Sequence, residues 1–178
     1  MQVARIVLAL SLTPLLGCSP EYNWRELRPP GLGYQAMFPG KPDSASRDVV
    51  VSGQTLAMNL SAAQAGGHSF SVGVLQLKNN APENRDQILA ALRAQMLRNI
   101  AATESAATPF KVLLLDRQGM ARPPLMGVRI EAQASNRPNR LYGAFVARED
   151  RAYQVLVIGQ NPDLEQVMTF IESFRLLE

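Results

Sequence analysis

The chain has 178 residues, with 18 basic against 15 acidic side chains and a formal net charge of +3. That length builds one domain with a substantial core rather than two. So small a positive excess gives no argument for nucleic-acid binding, which needs a concentrated basic face, and a single cysteine with a single histidine excludes an internal disulfide or a Cys/His zinc site.

Residues 1–17 have the three parts of an export signal: Arg5 and the α-amino group, the apolar run from Ile6 to Leu16, and small Gly17 before the cut. The run is too short for a spanning helix, which needs about 20 residues, and Pro14 interrupts it. Leu15-Leu16-Gly17-Cys18 resembles the lipobox of bacterial lipoproteins, with Leu three residues before the cysteine and Gly just before it. The resemblance implies cleavage between Gly17 and Cys18. Cys18 then carries a diacylglyceryl group on sulfur and an acyl chain such as palmitate on nitrogen. Two or more chains anchor stably where one binds reversibly. Ser19 in place of Asp implies sorting to the outer membrane, with the domain facing the periplasm. Two competing readings are a plain secreted periplasmic protein, since small Gly17 also suits ordinary signal peptidase, and a free thiol at Cys18.

Residues 18–23 form the lipidated N-terminus and a short tether, and residues 24–178 a single globular domain. From Ser19 to Asn23 the tether reaches less than about 20 Å. Short strands are predicted at Trp24–Arg28 and Tyr34–Phe38, the second stopped by Pro39-Gly40-Lys41-Pro42. Ser46–Val51 is a further strand. Leu56, Met58, Leu60 and Ala62 alternate with polar or small residues, Gly66-Gly67 turns the chain, and Phe70, Val72 and Val74 continue the alternation. This is the clearest hairpin in the sequence.

A helix is predicted over 84–103, with Ile88, Leu92, Met96 and Ile100 at i+4 spacing and a capping box of Asn84 with Gln87. Strands follow at 110–116, 125–134, 141–148 and 153–159. The last two are joined by a tight Glu149-Asp150 turn between Arg148 and Arg151. Asn161-Pro162-Asp163 starts a final helix, Asn161 as cap and Pro162 in the first turn. Its stripe is Leu164, Val167, Met168, Ile171 and Phe174.

Phe38-Pro39-Gly40-Lys41-Pro42, a hairpin, one mid-chain helix, a four-strand run and the closing Phe170-Ile171-Glu172-Ser173-Phe174-Arg175-Leu176 together resemble the PsbP/Mog-like superfamily, which includes the DcrB-type bacterial lipoproteins. The layout covers residues 24–177. The resemblance implies an α+β fold: a mainly antiparallel sheet of about six or seven strands with helices packed on it, in an α/β/α sandwich. It also implies a non-enzymatic role in binding or stabilising a larger assembly. No binding residue carries over.

Catalytic motifs are weak. Gly67-His68-Ser69-Phe70-Ser71 is one residue short of the hydrolase elbow, which needs a helix after its serine and a separate histidine. The only tight acidic pair, Glu149-Asp150, reads as a hairpin turn rather than a calcium loop. Arginines outnumber the three lysines, Lys41, Lys78 and Lys111, five to one. Arginine suits bidentate phosphate or carboxylate recognition, although a GC-rich coding sequence gives the same bias. Arg137 and Arg140 read as a solvated loop that could also meet anionic lipid.

The sequence therefore predicts a lipid-anchored cell-envelope accessory protein that binds or assembles with an envelope partner. It predicts no catalytic, cofactor or metal site, and no nucleic-acid partner. The alternative is a lipoprotein that holds a small ligand in a cleft between sheet and helix.

Overall fold

Ten strands and two helices make up residues 21–178, the part of the chain described by this computed structural model. Cys18 and Gly17 lie outside the described residues. The first five strands are β1 (Arg25–Leu27), β2 (Tyr34–Phe38), β3 (Asp43–Val51), β4 (Gln54–Ala65) and β5 (His68–Gln76). Helix α1 (Pro82–Asn99) precedes the four-strand run β6 (Ala102–Leu115), β7 (Ala121–Ala134), β8 (Asn139–Arg148) and β9 (Arg151–Gln160). Helix α2 (Leu164–Ser173) and β10 (Arg175–Leu177) close the chain.

All ten strands join one sheet, in the order β1-β2-β10-β6-β7-β8-β9-β5-β4-β3. Every pairing is antiparallel except β10 on β6. This corrects the expected α+β sandwich of six or seven strands: the fold is mostly sheet, curled into a half-barrel, with two helices among the described residues. The strand count implied by the family resemblance does not hold.

Two physical causes enlarge the sheet. First, β6 and β7 run through stretches whose prolines argue for loops. Pro109 keeps its place because β10 pairs β6 only at Leu113–Leu115, leaving no ladder bond to lose on that side. Pro123 and Pro124 fall where the register jumps from Val112↔Leu125 to Leu114↔Arg122, in a bulge. Second, the chain leaves α2 at Phe174 in extended geometry and adds β10 between β2 and β6.

Alternation along the strands sends two sets of side chains to opposite faces. On β9, Tyr153, Val155 and Val157 join the cluster around α2, while Ala152 and Leu156 join the cluster around α1. The α2 face is aromatic. The Phe170 ring meets Phe38 at 5.2 Å and Phe70 at 5.4 Å, both edge-on, and Tyr34 stacks on Phe174 at 5.7 Å. The buried residues of α2 are Val167, Phe170 and Ile171, whereas Leu164, predicted inside, is 56 % exposed.

Both helix starts differ from expectation. Asp163, not Asn161, caps α2, its carboxylate accepting the Glu165 N–H at 2.9 Å; Asn161 takes a left-handed φ of 44° instead. In α1 the cap position is Ala81, with Pro82 just inside and no side-chain cap bond. Asn84 therefore lies within the helix, where its amide bonds Gln54 and the Asn79 carbonyl rather than forming a box.

Candidate functional site

Strand directions give the domain two distinct poles. At one, the chain enters through Tyr22 and Trp24, which stack on each other and meet Phe70 edge-on. The Gly66-Gly67 turn, His68 and the end of β9 lie at this entry pole. At the other pole are the β1–β2 loop, the β6–β7 turn, the β8–β9 turn and the end of β10. The ten residues of β9 run from one pole to the other, about 30 Å at the usual strand rise.

A hollow of about 740 Å³ opens at this second pole. Four arginines line it: Arg28, Arg117, Arg148 and Arg151. The carboxylates in the lining are Glu149 and Glu178.

Each arginine is placed by a different local device. Arg28 leaves β1 just before Pro29-Pro30-Gly31, where Gly31 takes φ 74°. Arg117 rides a turn organised by buried Asp116, whose Oδ1 accepts the N–H groups of Gln118 and Met120, both at 2.9 Å. Arg122 lies 3.2 Å from the other carboxylate oxygen, which has no aligned hydrogen bond among the described residues. Arg148 donates to the Leu177 carbonyl at 2.9 Å and pairs with Glu149 at 2.8 Å.

Arg151 sits beside Tyr153, whose hydroxyl donates to the Leu32 carbonyl at 3.2 Å. Burial raises the Tyr153 phenol above its ordinary value of 10.0, and the hydrogen bond and charge of Arg151 oppose that rise. Gly33, at φ 67°, makes this arrangement possible. A Cβ there would stand 2.7 Å from Arg151 Nη1 and 3.0 Å from the Tyr153 oxygen.

The β8–β9 turn concentrates charge unusually. Arg148 and Arg151 are directly paired across the hairpin, a placement in which like charges destabilise. Glu149 adopts a left-handed φ of 52°, costing about 1–2 kcal/mol for a residue with a side chain. Asp150 is drawn to β5 by Gln76, whose amide donates to its carboxylate at 2.7 Å. Among the described residues, Arg28, Arg117 and Arg151 have no ion-pair partner.

Two other hollows bear on the predicted sheet–helix cleft. The crevice under α1, between Met58, Leu92 and Met96, measures about 50 Å³ and contains the amide of buried Gln154. That is room for water, well short of the ~300–1,000 Å³ of ligand pockets. A shallow groove of about 480 Å³ lies between the end of α2 and the β6–β7 ladder, lined by Phe110, Leu113 and Met126.

His68 is half-buried at the start of β5. Its ring packs over Gly159, and its Nε2 lies 3.0 Å from the Gln160 carbonyl. Strand β5, not a helix, follows Ser69. The sequence's lone histidine is thus at the pole away from the arginines. Among the described residues, no three His, Cys, Asp or Glu side chains are grouped to hold a metal ion, and no helix is long and apolar enough to cross a membrane.

Sequence reasoning placed Arg148 and Arg151 beside a turn but assigned them no role, and it passed over Arg28 and Arg117. The available signal was arginine next to three separate turn motifs. Only the strand directions show that those turns share a pole.

These features define a curled-sheet domain with an arginine-lined hollow opposite its chain entry. No protein-family model matches the chain, and no curated protein is recognisably similar to it in sequence.

Proposed function

We propose that this chain is a lipid-anchored accessory protein of the bacterial outer membrane, held through Cys18, that binds an envelope partner with the pole facing away from the bilayer. The observation that carries this reading is the opposition of the two poles. The chain enters beside Tyr22 and Trp24, and the arginine-lined hollow opens at the far ends of the same strands. Because Tyr22 is already packed on the domain, the tether from residue 19 to residue 21 spans only about 10 Å at full extension, so the entry pole stays near the membrane and the hollow points into the periplasm. Arg137 and Arg140, in and beside the β7–β8 turn, fall at the entry pole, where they would meet lipid headgroups.

Crosslinking in intact cells tests this, comparing wild type with Cys18→Ser. The expected result is a membrane-bound wild type with specific crosslinked partners, and a variant that leaves the membrane fraction and loses them. An unchanged membrane distribution would overturn the anchor; partners identical in both forms would overturn the need for tethering.

A second reading rests on the groove beside α2. Leu113 and Met126 are 40 % and 59 % exposed there, so an apolar ligand has a surface to occupy. Saturable, blue-shifted fluorescence of an environment-sensitive apolar dye, abolished by Met126→Glu, would favour this reading over the first.

A further inference from the structure

We infer that the hollow at the far pole is a recognition site for a multivalent oxyanion, a molecule carrying two or more phosphate or carboxylate groups. The inference rests on the reading that this pole is the binding surface, and it names the chemistry that the surface takes.

Three independent elements converge on the hollow, and each brings cation. The β1–β2 loop brings Arg28, the β6–β7 turn brings Arg117, and the β8–β9 hairpin brings Arg148 and Arg151. Arginine is a planar fork of donors that matches the oxygens of phosphate and carboxylate. Among the described residues, only Arg148 of the four lies within ion-pair distance of a carboxylate, Glu149, and Glu178 is the other acidic side chain in the lining.

The directly opposed Arg148 and Arg151 are the second observation. A hairpin gains nothing from like charges facing each other across a ladder. An anion between them turns that repulsion into attraction. The floor is also fixed in advance: Arg148 is held by the Leu177 carbonyl, and Arg151 lies over Gly33 beside Tyr153. Preorganised donors lose little freedom on binding.

Size argues for more than one anionic group. At about 740 Å³ the hollow falls in the range of pockets for whole ligands, ~300–1,000 Å³, and a single phosphate would leave most of it to water. Rim arginines on two separate loops and floor arginines on a third element suit a ligand whose charges are spaced apart.

The test is calorimetric titration of the full-length protein in mild detergent with tripolyphosphate, citrate and inorganic phosphate, at matched ionic strength. Tripolyphosphate or citrate should bind saturably, and phosphate at least about tenfold more weakly. The better of the first two identifies phosphate or carboxylate as the group read. Arg28→Gln and Arg117→Gln, both at exposed rim positions, should each weaken binding about tenfold, the loss of one charge-assisted contact. Arg137→Gln at the opposite pole should leave it unchanged.

Absence of saturable binding by all three anions would overturn the inference, as would equal losses from Arg137→Gln and the rim variants. Equal affinity for phosphate and tripolyphosphate would overturn its multivalent part. Failure here with tether-dependent crosslinks intact would leave the accessory reading standing on other contacts. Anion binding without any crosslinked partner would do the reverse.

Discussion

The Tyr34 hydroxyl donates a 3.0 Å hydrogen bond to Ser61 Oγ, although their strands, β2 and β4, are separated by six others in the sheet order. Only a sheet bent toward its α2 face can bring them together. The bond closes the curl from within, where both residues are buried. The loop after β1 also approaches β3 and β4 through Pro29 and Leu32. The entry to the far-pole hollow is therefore built on the same closure.

Burial of the Tyr34 phenol makes stability depend on alkaline pH. Burial pushes the Tyr34 phenol from 10.0 up to about 12, against the opposing pull of the Ser61 hydrogen bond. The folded state therefore holds the phenol proton more tightly than the unfolded chain. This contribution is fully present below pH 10 and is lost as pH rises through about 12. Its size is on the order of 3 kcal/mol. Tyr34→Phe should cost about 1–2 kcal/mol at neutral pH, for the lost bond and the stranded Ser61 hydroxyl. It should also flatten the alkaline decline, leaving a residual slope from Tyr153, which is raised in the same direction. Urea unfolding across about pH 8 to 12 reads both, and an unchanged slope in the variant would sink the assignment.

Phe170 joins α2 to both limbs of the curl, since its ring touches Phe38 on β2 and Phe70 on β5. Phe170→Ala should destabilise by about 3–5 kcal/mol, combining lost transfer energy with the cavity left behind. Phe170→Leu keeps most of the volume and should cost about half as much. The measurement is the urea midpoint at constant m-value. A loss below about 1 kcal/mol would mean that the two limbs hold together without α2.

Most individual strands were legible in the sequence, because alternation at Phe70–Val74 and Val128–Ala132 is a direct imprint of a two-faced sheet; in β4 burial follows the expected set only at Leu56 and Met58 and then passes to Ser61, Ala63 and Ala65. Tyr34–Phe38 is observed with the bounds that its flanking prolines and glycines suggested. What alternation cannot encode is partnership. Arg175–Leu177 reads as the end of a helix until β2 and β6 offer it a slot, and Pro109 reads as a breaker until one side of β6 is seen to be open. The hollow was illegible for the same reason. Arg28, Arg117, Arg148 and Arg151 are up to 123 positions apart in the sequence, and no local pattern joins them.

Gly31 and Gly33 provide a matched comparison of backbone and space. Both have left-handed φ, 74° and 67°, yet a Cβ at Gly31 would meet nothing within 4 Å, while one at Gly33 would strike the Arg151 guanidinium. Gly31→Ala should therefore cost about 1 kcal/mol from conformation alone. Gly33→Ala should cost about 2–4 kcal/mol, adding the displacement of Arg151 and Tyr153. Thermal unfolding of the two variants checks the difference. Equal shifts would show that Arg151 moves aside freely and that the floor of the hollow is not preorganised.

Asp116 links stability to recognition. Its Oδ1 is the acceptor for two backbone N–H groups of the β6–β7 turn, and Gly119 at φ 81° completes the reversal that presents Arg117. Asp116→Ala strands both donors in a partly buried turn and should cost about 2–4 kcal/mol. Asp116→Asn retains an acceptor at the same place and should cost about 1 kcal/mol, chiefly through the lost attraction to Arg122. If the turn positions Arg117 for an anion, the Ala variant should also bind tripolyphosphate about tenfold more weakly, as Arg117→Gln does, while the Asn variant binds as wild type. Calorimetry on folded samples of both variants separates the two effects. Weakened binding in Asp116→Asn with an intact turn would show that the carboxylate charge, rather than the geometry it imposes, governs the rim.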